Sequence, residues 1–385
     1  MLPDSNRVFV GVLLVFSAVM SGSQAPPSGG PPVLPLMGHS HNDEAKPTPL
    51  VGALAAGLQS IEVDCYLLPD THGQRQLVIG HDWDSLDPSR LLGPAYLQPL
   101  AQRIAAQGGR LYPGAALTGS GPAILLLDSK LSSQRKRGVN ASEEEMYEAI
   151  EALLWSFQNA YTGPGQLFSR HSQGHTWPGA LLAVLSGDRP APQFVLGRHM
   201  QRGVAGRQGQ EMEEGGTWLL TLDGRLTDLG IELETPFGAS NAGKQWNLAQ
   251  PRKMMLGDKL PSHVTAVLHP RSQPGSGAAG VPVSVMPLVS QGLYGDPDSA
   301  LPDCADPTQL LPAHKARLRY LAEAAHAQGR LLRVWDHPDA PDVWGTLLGL
   351  GLDLVNVEDC AAFQAWAYQQ LGLQPVAQSQ PGTRT

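Results

Sequence analysis

The chain has 385 residues, of which 42% are hydrophobic and 16% charged. That much apolar material buries a large core and excludes a disordered or fibrous polypeptide. The formal net charge is −8, and no basic run is longer than Arg135-Lys136-Arg137. Nucleic acid is therefore excluded as an expected partner, as is attraction of the whole molecule to an anionic membrane.

Taken in order, Met1 to Gln24 has the pattern of a secretory signal. Arg7 precedes a nearly all-apolar run from Val8 to Met20, and Ser21-Gly22-Ser23 offers small residues for cleavage. The run is short for a bilayer span, so the expected location is extracellular, with an uncleaved anchor as the alternative. Asn140-Ala141-Ser142 is a glycosylation sequon that a secreted protein can use. Residues 25–32 read as a Pro/Gly-rich linker, 33–373 as one folded domain, and 374–385 as a loose tail. Within the domain, the stretches near 201–216 and 238–280 lack periodicity and read as long loops.

Apolar runs predict strands at Val33–Gly38, Leu58–Leu67, Gln76–Gly80, Ala123–Leu127 and Ala180–Leu185. Further strands are expected at Trp218–Leu222, Val281–Leu288, Leu331–Trp335 and Asp353–Val357. Helical spacing appears at Thr48–Leu58, Tyr96–Ala106, Ser142–Phe157, Pro307–Gln328 and Asp342–Leu350. Ser142 ahead of Glu143-Glu144-Glu145 is a capping-box signal. About eight strands alternating with helices favour a closed α/β (β/α)8 barrel of the TIM type, and no GxGxxG follows any strand to suggest a dinucleotide fold. Of the three cysteines, Cys65 is expected to pack as a small hydrophobe. Cys304 and Cys360 leave a bridge open in an oxidising compartment.

The chemistry lies at the strand ends, where a barrel carries its reacting groups. In Ile61-Glu62-Val63-Asp64-Cys65 the two acids alternate with apolar residues and so share one face. Two carboxylates side by side there need a cation, a basic partner or water. Other strand ends carry His39 and His41, His81 and Asp82, and Asp128 with Lys130. Glu62, Asp64 and Asp128 are hard oxygen ligands that suit Mg²⁺, with Ca²⁺ as the alternative. Lys130 is placed either to pair with a phosphate oxygen or to neutralise the acids. His39 and His81, on different strands, are candidates for an acid/base pair. Together they suit metal-assisted cleavage of a phosphodiester.

The runs Gly38-His39-Ser40-His41-Asn42, Ile61-Glu62-Val63-Asp64, Gly80-His81-Asp82 and Leu127-Asp128-Ser129-Lys130 resemble the phospholipase-C-like phosphodiesterases. That superfamily includes glycerophosphodiester phosphodiesterases and sphingomyelinase D toxins. Four further segments are similar to the branch named altered inheritance of mitochondria protein six. They are Ala95-Tyr96-Leu97-Gln98-Pro99-Leu100, Leu222-Asp223-Gly224-Arg225-Leu226, Arg333-Val334-Trp335-Asp336 and Asn356-Val357-Glu358-Asp359. The resemblance implies a TIM-type barrel with a magnesium-like ion on Glu62, Asp64 and Asp128. It also implies His39 and His81 as the catalytic pair, Lys130 near the phosphate, and a small-molecule or lipid phosphodiester as substrate. His41, Asn42 and Trp335, inside these motifs, are candidate substrate contacts. The arginine-glycine pair and Pro-Glu-Asn-Thr run of glycerophosphodiester phosphodiesterases are absent, which sets this chain apart from that substrate pattern.

Two alternatives stand beside this reading. His39-Ser40-His41 also fits a metallohydrolase in which both imidazoles ligate zinc or manganese. A secreted barrel that binds a lipid or phosphate headgroup without turnover is the other. Leu91-Leu92-Gly93 and Leu293-Tyr294 are candidate apolar loops for transient contact with a membrane surface.

Overall fold

The computed structural model describes residues 35–112, 121–172, 175–204, 216–229, 281–296 and 298–371. The expected signal, linker and tail, and most of the two long loops, lie outside these. The folded unit is ringed by eight parallel strands. In chain order they are β1 (Leu36–Ser40), β2 (Leu58–Pro69), β4 (Ala123–Ser129), β7 (Leu181–Gly187), β8 (Leu220–Gly224), β9 (Leu288–Gly292), β10 (Leu331–Trp335) and β11 (Leu354–Val357). β1 pairs with both β2 and β11, which closes the barrel. The expected α/β TIM-type barrel is therefore the observed fold.

Strand alternation divides the side chains between two cores. Met37, Ile124, Leu126, Leu182, Val184, Leu288, Leu331 and Leu354 form one buried cluster that fills the lower barrel. Each contributes about 2 kcal/mol by leaving water. The alternate positions pack outward against the helices α1 (Val51–Ala56), α2 (Gln98–Ala106), α3 (Leu131–Lys136), α4 (Glu143–Ala160), α5 (Pro192–Val204), α6 (Pro312–Ala327), α7 (Pro341–Gly349) and α8 (Cys360–Leu371). α4 starts in the expected capping box: Glu145 N donates to Ser142 Oγ at 3.1 Å, and Ser142 N donates to Glu145 Oε2 at 2.8 Å.

Two expected strands are corrected. The Gln76–Gly80 segment is a strand, β3 (Arg75–Ile79), but it runs antiparallel to β2 and is not one of the eight. β2 overshoots the barrel, and Asp70 Oδ1 then accepts from His72 N and Gln74 N to make a tight hairpin. β1 pairs with the lower part of β2 as far as Ile61, and β3 pairs with the upper part from Cys65. One edge of β2 is thus shared by two strands, and a gap opens at Asp64. The second correction is Val281–Leu288, where the strand begins only at Leu288. Pro282 and Pro287 have no N–H to give a ladder, and Arg330 takes the carbonyls of Val281 and Met286 with its guanidinium.

Helices α3, α5 and α8, and a hairpin of β5 (Arg170–Ser172) with β6 (His175–Trp177), were not expected from the sequence. The three cysteines are free and buried, so no bridge joins Cys304 to Cys360. Leu92 and Leu293, in the two candidate apolar loops, are fully buried in the core, while Leu91 and Tyr294 beside them are half-buried. Among the described residues no helix is long and apolar enough to cross a membrane.

Candidate active site

Above the apolar plug, the inward positions of the strands turn polar. β1 presents His39, β2 presents Ser60, Glu62 and Asp64, β4 presents Asp128, β10 presents Arg333 and β11 presents Asn356. Oxygens of Glu62, Asp64 and Asp128 lie within 4.8 Å of one another. Gly187, at the end of β7, has φ +67°, and a Cβ there would stand 2.8 Å from Asp128 Oδ1 and 2.5 Å from Ser129 O. Glycine is required at that position for Asp128 to sit where it does.

One side of the site is a dry chain of hydrogen bonds. Arg333 Nη2 donates to Glu62 Oε2 at 2.8 Å, and its Nε donates to Asn356 Oδ1 at 2.9 Å. Asn356 N in turn donates to His337 Nε2 at 3.0 Å. His39 Nε2 lies 2.6 Å from the same Glu62 oxygen and Nδ1 lies 2.7 Å from Ser60 Oγ. An ionised carboxylate only accepts, so Nε2–H donates to Glu62 and Nδ1 accepts from Ser60. Burial, and then the Arg333 charge, push the pKa of His39 down to about 3, keeping the ring neutral. Burial alone would raise Glu62, but the Arg333 guanidinium and the His39 bond outweigh it and hold the carboxyl well below its usual range.

The other side opens to solvent. His81 Nδ1 lies 2.7 Å from Asp64 Oδ2 and its side chain is 43% exposed. Nδ1–H donates to the carboxylate, which leaves Nε2 as a lone-pair acceptor. Lys130 Nζ reaches the same Asp64 oxygen at 3.0 Å and Asp128 Oδ2 at 2.6 Å. Burial opposes the Lys130 charge, but Asp128 and Asp64 prevail and hold the ammonium well above its usual value. Asp64 is raised to about 6, first by burial and then, against the pull of Lys130, by Asp128 and Glu62. Its Oδ1 is buried without a partner. Three hard oxygen donors, one of them unsatisfied, fit a divalent cation of the Mg²⁺ or Ca²⁺ kind.

The structure brings together six expected residues: His39, Glu62, Asp64, His81, Asp128 and Lys130. His41 pairs with Glu358 at 2.5 Å. Among the described residues no metal-holding group contains both imidazoles, so the His-x-His chelate is not formed. Asn42 takes a left-handed turn at φ 46°, a conformation asparagine tolerates well. Trp335 lies at the mouth, 37% exposed, its ring over Gly292.

Residues 31–112 match the family model of the AIM6-like phosphodiesterase domain. These residues are AIM6-like. Over 66 residues the chain is 38% identical to altered inheritance of mitochondria protein 6 of Eremothecium gossypii. The aligned stretch is 17% of this chain and 16% of that protein, well under two thirds of the relative's length. Both findings liken a part of the chain to AIM6. The AIM6-like stretch carries His39, Glu62, Asp64 and His81, whereas Asp128, Lys130 and Arg333 come from strands beyond it.

Ser60, Asn356, Arg333 and Glu44 carried no role in the sequence reading. Arg333 stands in a matched motif, and its place on the barrel's inner face, two residues from Trp335, was the available signal. Glu44 is 2% exposed and accepts from Asp64 N at 3.1 Å. An acid directly after Asn42-Asp43 reads as loop, and nothing local marks it as buried.

Proposed function

We propose that this barrel is a phosphoric diester hydrolase that uses a divalent cation of the Mg²⁺ kind. The observation that carries the reading is the Glu62, Asp64 and Asp128 cluster with His81 hydrogen-bonded to Asp64 at its solvent edge. Those three carboxylates would hold the ion, which when bound supplies positive charge for the phosphoryl oxygens. His81, oriented by Asp64, takes the proton of the attacking hydroxyl at Nε2. Lys130, still 23% exposed, offers an ammonium to a non-bridging phosphate oxygen while it balances Asp64 and Asp128. His39 is the second proton-transfer group, and the carboxylate of Glu62 fixes its tautomer and ring plane. The substrate is a lipid-derived or glycerol-type phosphodiester, whose apolar part rests on the exposed face of Trp335.

Turnover of bis(p-nitrophenyl) phosphate and of a panel of lyso- and glycerophosphodiesters tests this. Each is assayed with Mg²⁺, Ca²⁺, Zn²⁺ or EDTA, for the full chain and for Glu62→Gln and His81→Ala. Hydrolysis that needs Mg²⁺ or Ca²⁺ and is lost in both variants is the expected result. Activity retained in EDTA, or in both variants, would sink the proposal. The phosphorus products separate attack by water from attack by an internal hydroxyl, which yields a cyclic phosphate.

A further inference from the structure

The gap in the edge of β2 admits two side chains that flank Asp64 from the side opposite Asp128. β1 ends at Ser40 and β3 ends at Ile79, and the short segments that follow these two ends carry Glu44, in the turn Asp43–Ala45, and His81. Ligand atoms of Glu44, Asp64 and His81 lie within 4.8 Å of one another, a second group of three that shares Asp64 with the first. Glu44 is 2% exposed, and while Oε2 takes the Asp64 N–H, Oε1 is buried with no partner. Asp64 is fully buried and its Oδ1 is likewise unpaired. Two unsatisfied carboxylate oxygens beside an imidazole are costly in a dry setting, and a cation relieves both.

We propose that Glu44, Asp64 and His81 form a second divalent-cation position, adjacent to the first, and that filling it inhibits the enzyme. This rests on the hydrolase reading above. One imidazole with two carboxylates is a mixed nitrogen and oxygen set, better suited to Mn²⁺ or Zn²⁺ than the all-oxygen group beside it. The inhibition follows from the ring. An ion in this group takes the lone pair of Nδ1, and the ring proton then sits on Nε2. A ring held that way has no lone pair facing the mouth and accepts no proton from an attacking hydroxyl. Ions of the softer kind are thus inhibitory at high concentration, while Mg²⁺ is not.

Mn²⁺ binding to the full chain, followed by electron paramagnetic resonance and calorimetry, tests the position without relying on activity. The wild type is expected to bind two Mn²⁺ per chain, and Glu44→Gln and His81→Ala one each. His81 is exposed, so its truncation keeps the measurement available if the buried Glu44 variant folds poorly. Turnover of the wild type with bis(p-nitrophenyl) phosphate is expected to fall at high Mn²⁺, and Glu44→Gln to lose that fall. A single Mn²⁺ in the wild type, abolished by Asp128→Asn and untouched by Glu44→Gln, overturns the second position and leaves the hydrolase reading standing. No Mn²⁺ bound at all overturns both. A stoichiometry of two that neither variant changes also overturns the assignment. Inhibition that persists in Glu44→Gln overturns the link between this position and His81.

Discussion

Arg333 Nη2 sits 2.8 Å from Glu62 Oε2, joining β10 to β2 through the middle of the barrel. Both side chains are almost fully buried, so neither charge has water to fall back on. Removing the guanidinium leaves the carboxylate with the His39 hydrogen bond but no counter-charge in a dry interior. Arg333→Met is expected to lower the unfolding free energy by about 3–5 kcal/mol, read from urea melts. A loss under about 1 kcal/mol would mean that water reaches Glu62.

Lys130 is the cation that balances Asp64 and Asp128 in this structure. Lys130→Met should therefore melt earlier in EDTA, by about 2 kcal/mol of stability. Added Mg²⁺ should return much of that loss, since saturation at a hundredfold excess over Kd supplies about 2.7 kcal/mol. Thermal melts with and without the ion measure it. A variant whose melting point ignores Mg²⁺ would argue against an ion on these acids.

His81 is held by Asp64 with its outer nitrogen free. His81→Ala is expected to reduce kcat about 10²- to 10⁴-fold with a much smaller change in KM, because the imidazole moves a proton and does not anchor substrate. Equal losses in kcat and 1/KM would reassign His81 to binding.

Far from the site, burial pushes the pKa of His171 down to about 3. The unfolded chain takes up this proton near pH 6.5, while the folded chain refuses it until about 3. Stability from this group is complete above pH 6.5 and drains away as pH falls through that window, by at most about 1.4 kcal/mol per unit. His171→Phe keeps a ring beside Trp218, which stacks on it at 6.4 Å. Its unfolding free energy should depend less steeply on pH between 6 and 4. Parallel curves for the two proteins would show that His171 takes up its proton equally in the folded and unfolded chain.

Glu151 accepts from Leu219 N, Leu220 N and Trp155 Nε1, tying α4 to the start of β8. Glu151→Leu leaves two backbone N–H groups unpaired at about 1–3 kcal/mol each. Hydrogen exchange should then speed up at β8 before it does at β2.

The parts of this fold that were legible in the sequence are those whose pattern is local. The capping box at Ser142 and the acid pair at Glu62 and Asp64 each lie within a few residues. So does the overall alternation of strand and helix. β3 was recognised as a strand, but its direction depends on β2 overshooting the barrel, which only the hairpin at Asp70 to Gln74 decides. The displaced start of β9 was written in Pro282 and Pro287 and could have been read from them. Glu44 could not, because its burial comes from the gap between two strands that are not neighbours in sequence. Arg333 pairs with a residue 271 positions earlier, and no local rule connects them.

The closure of the ring by β1 and β11 also settles what the recognisable stretch is worth alone. Residues 31–112 contain β1, β2 and β3 but neither β4 nor β11, the outer neighbours of that trio. Excised, they would present two raw β edges, an open invitation to pair with other copies. Glu62 would meanwhile lose its arginine. The stretch that similarity detects is a signature, not a module: grafted or expressed by itself, it should aggregate, and its chemistry exists only once the far end of the chain has come round to meet it.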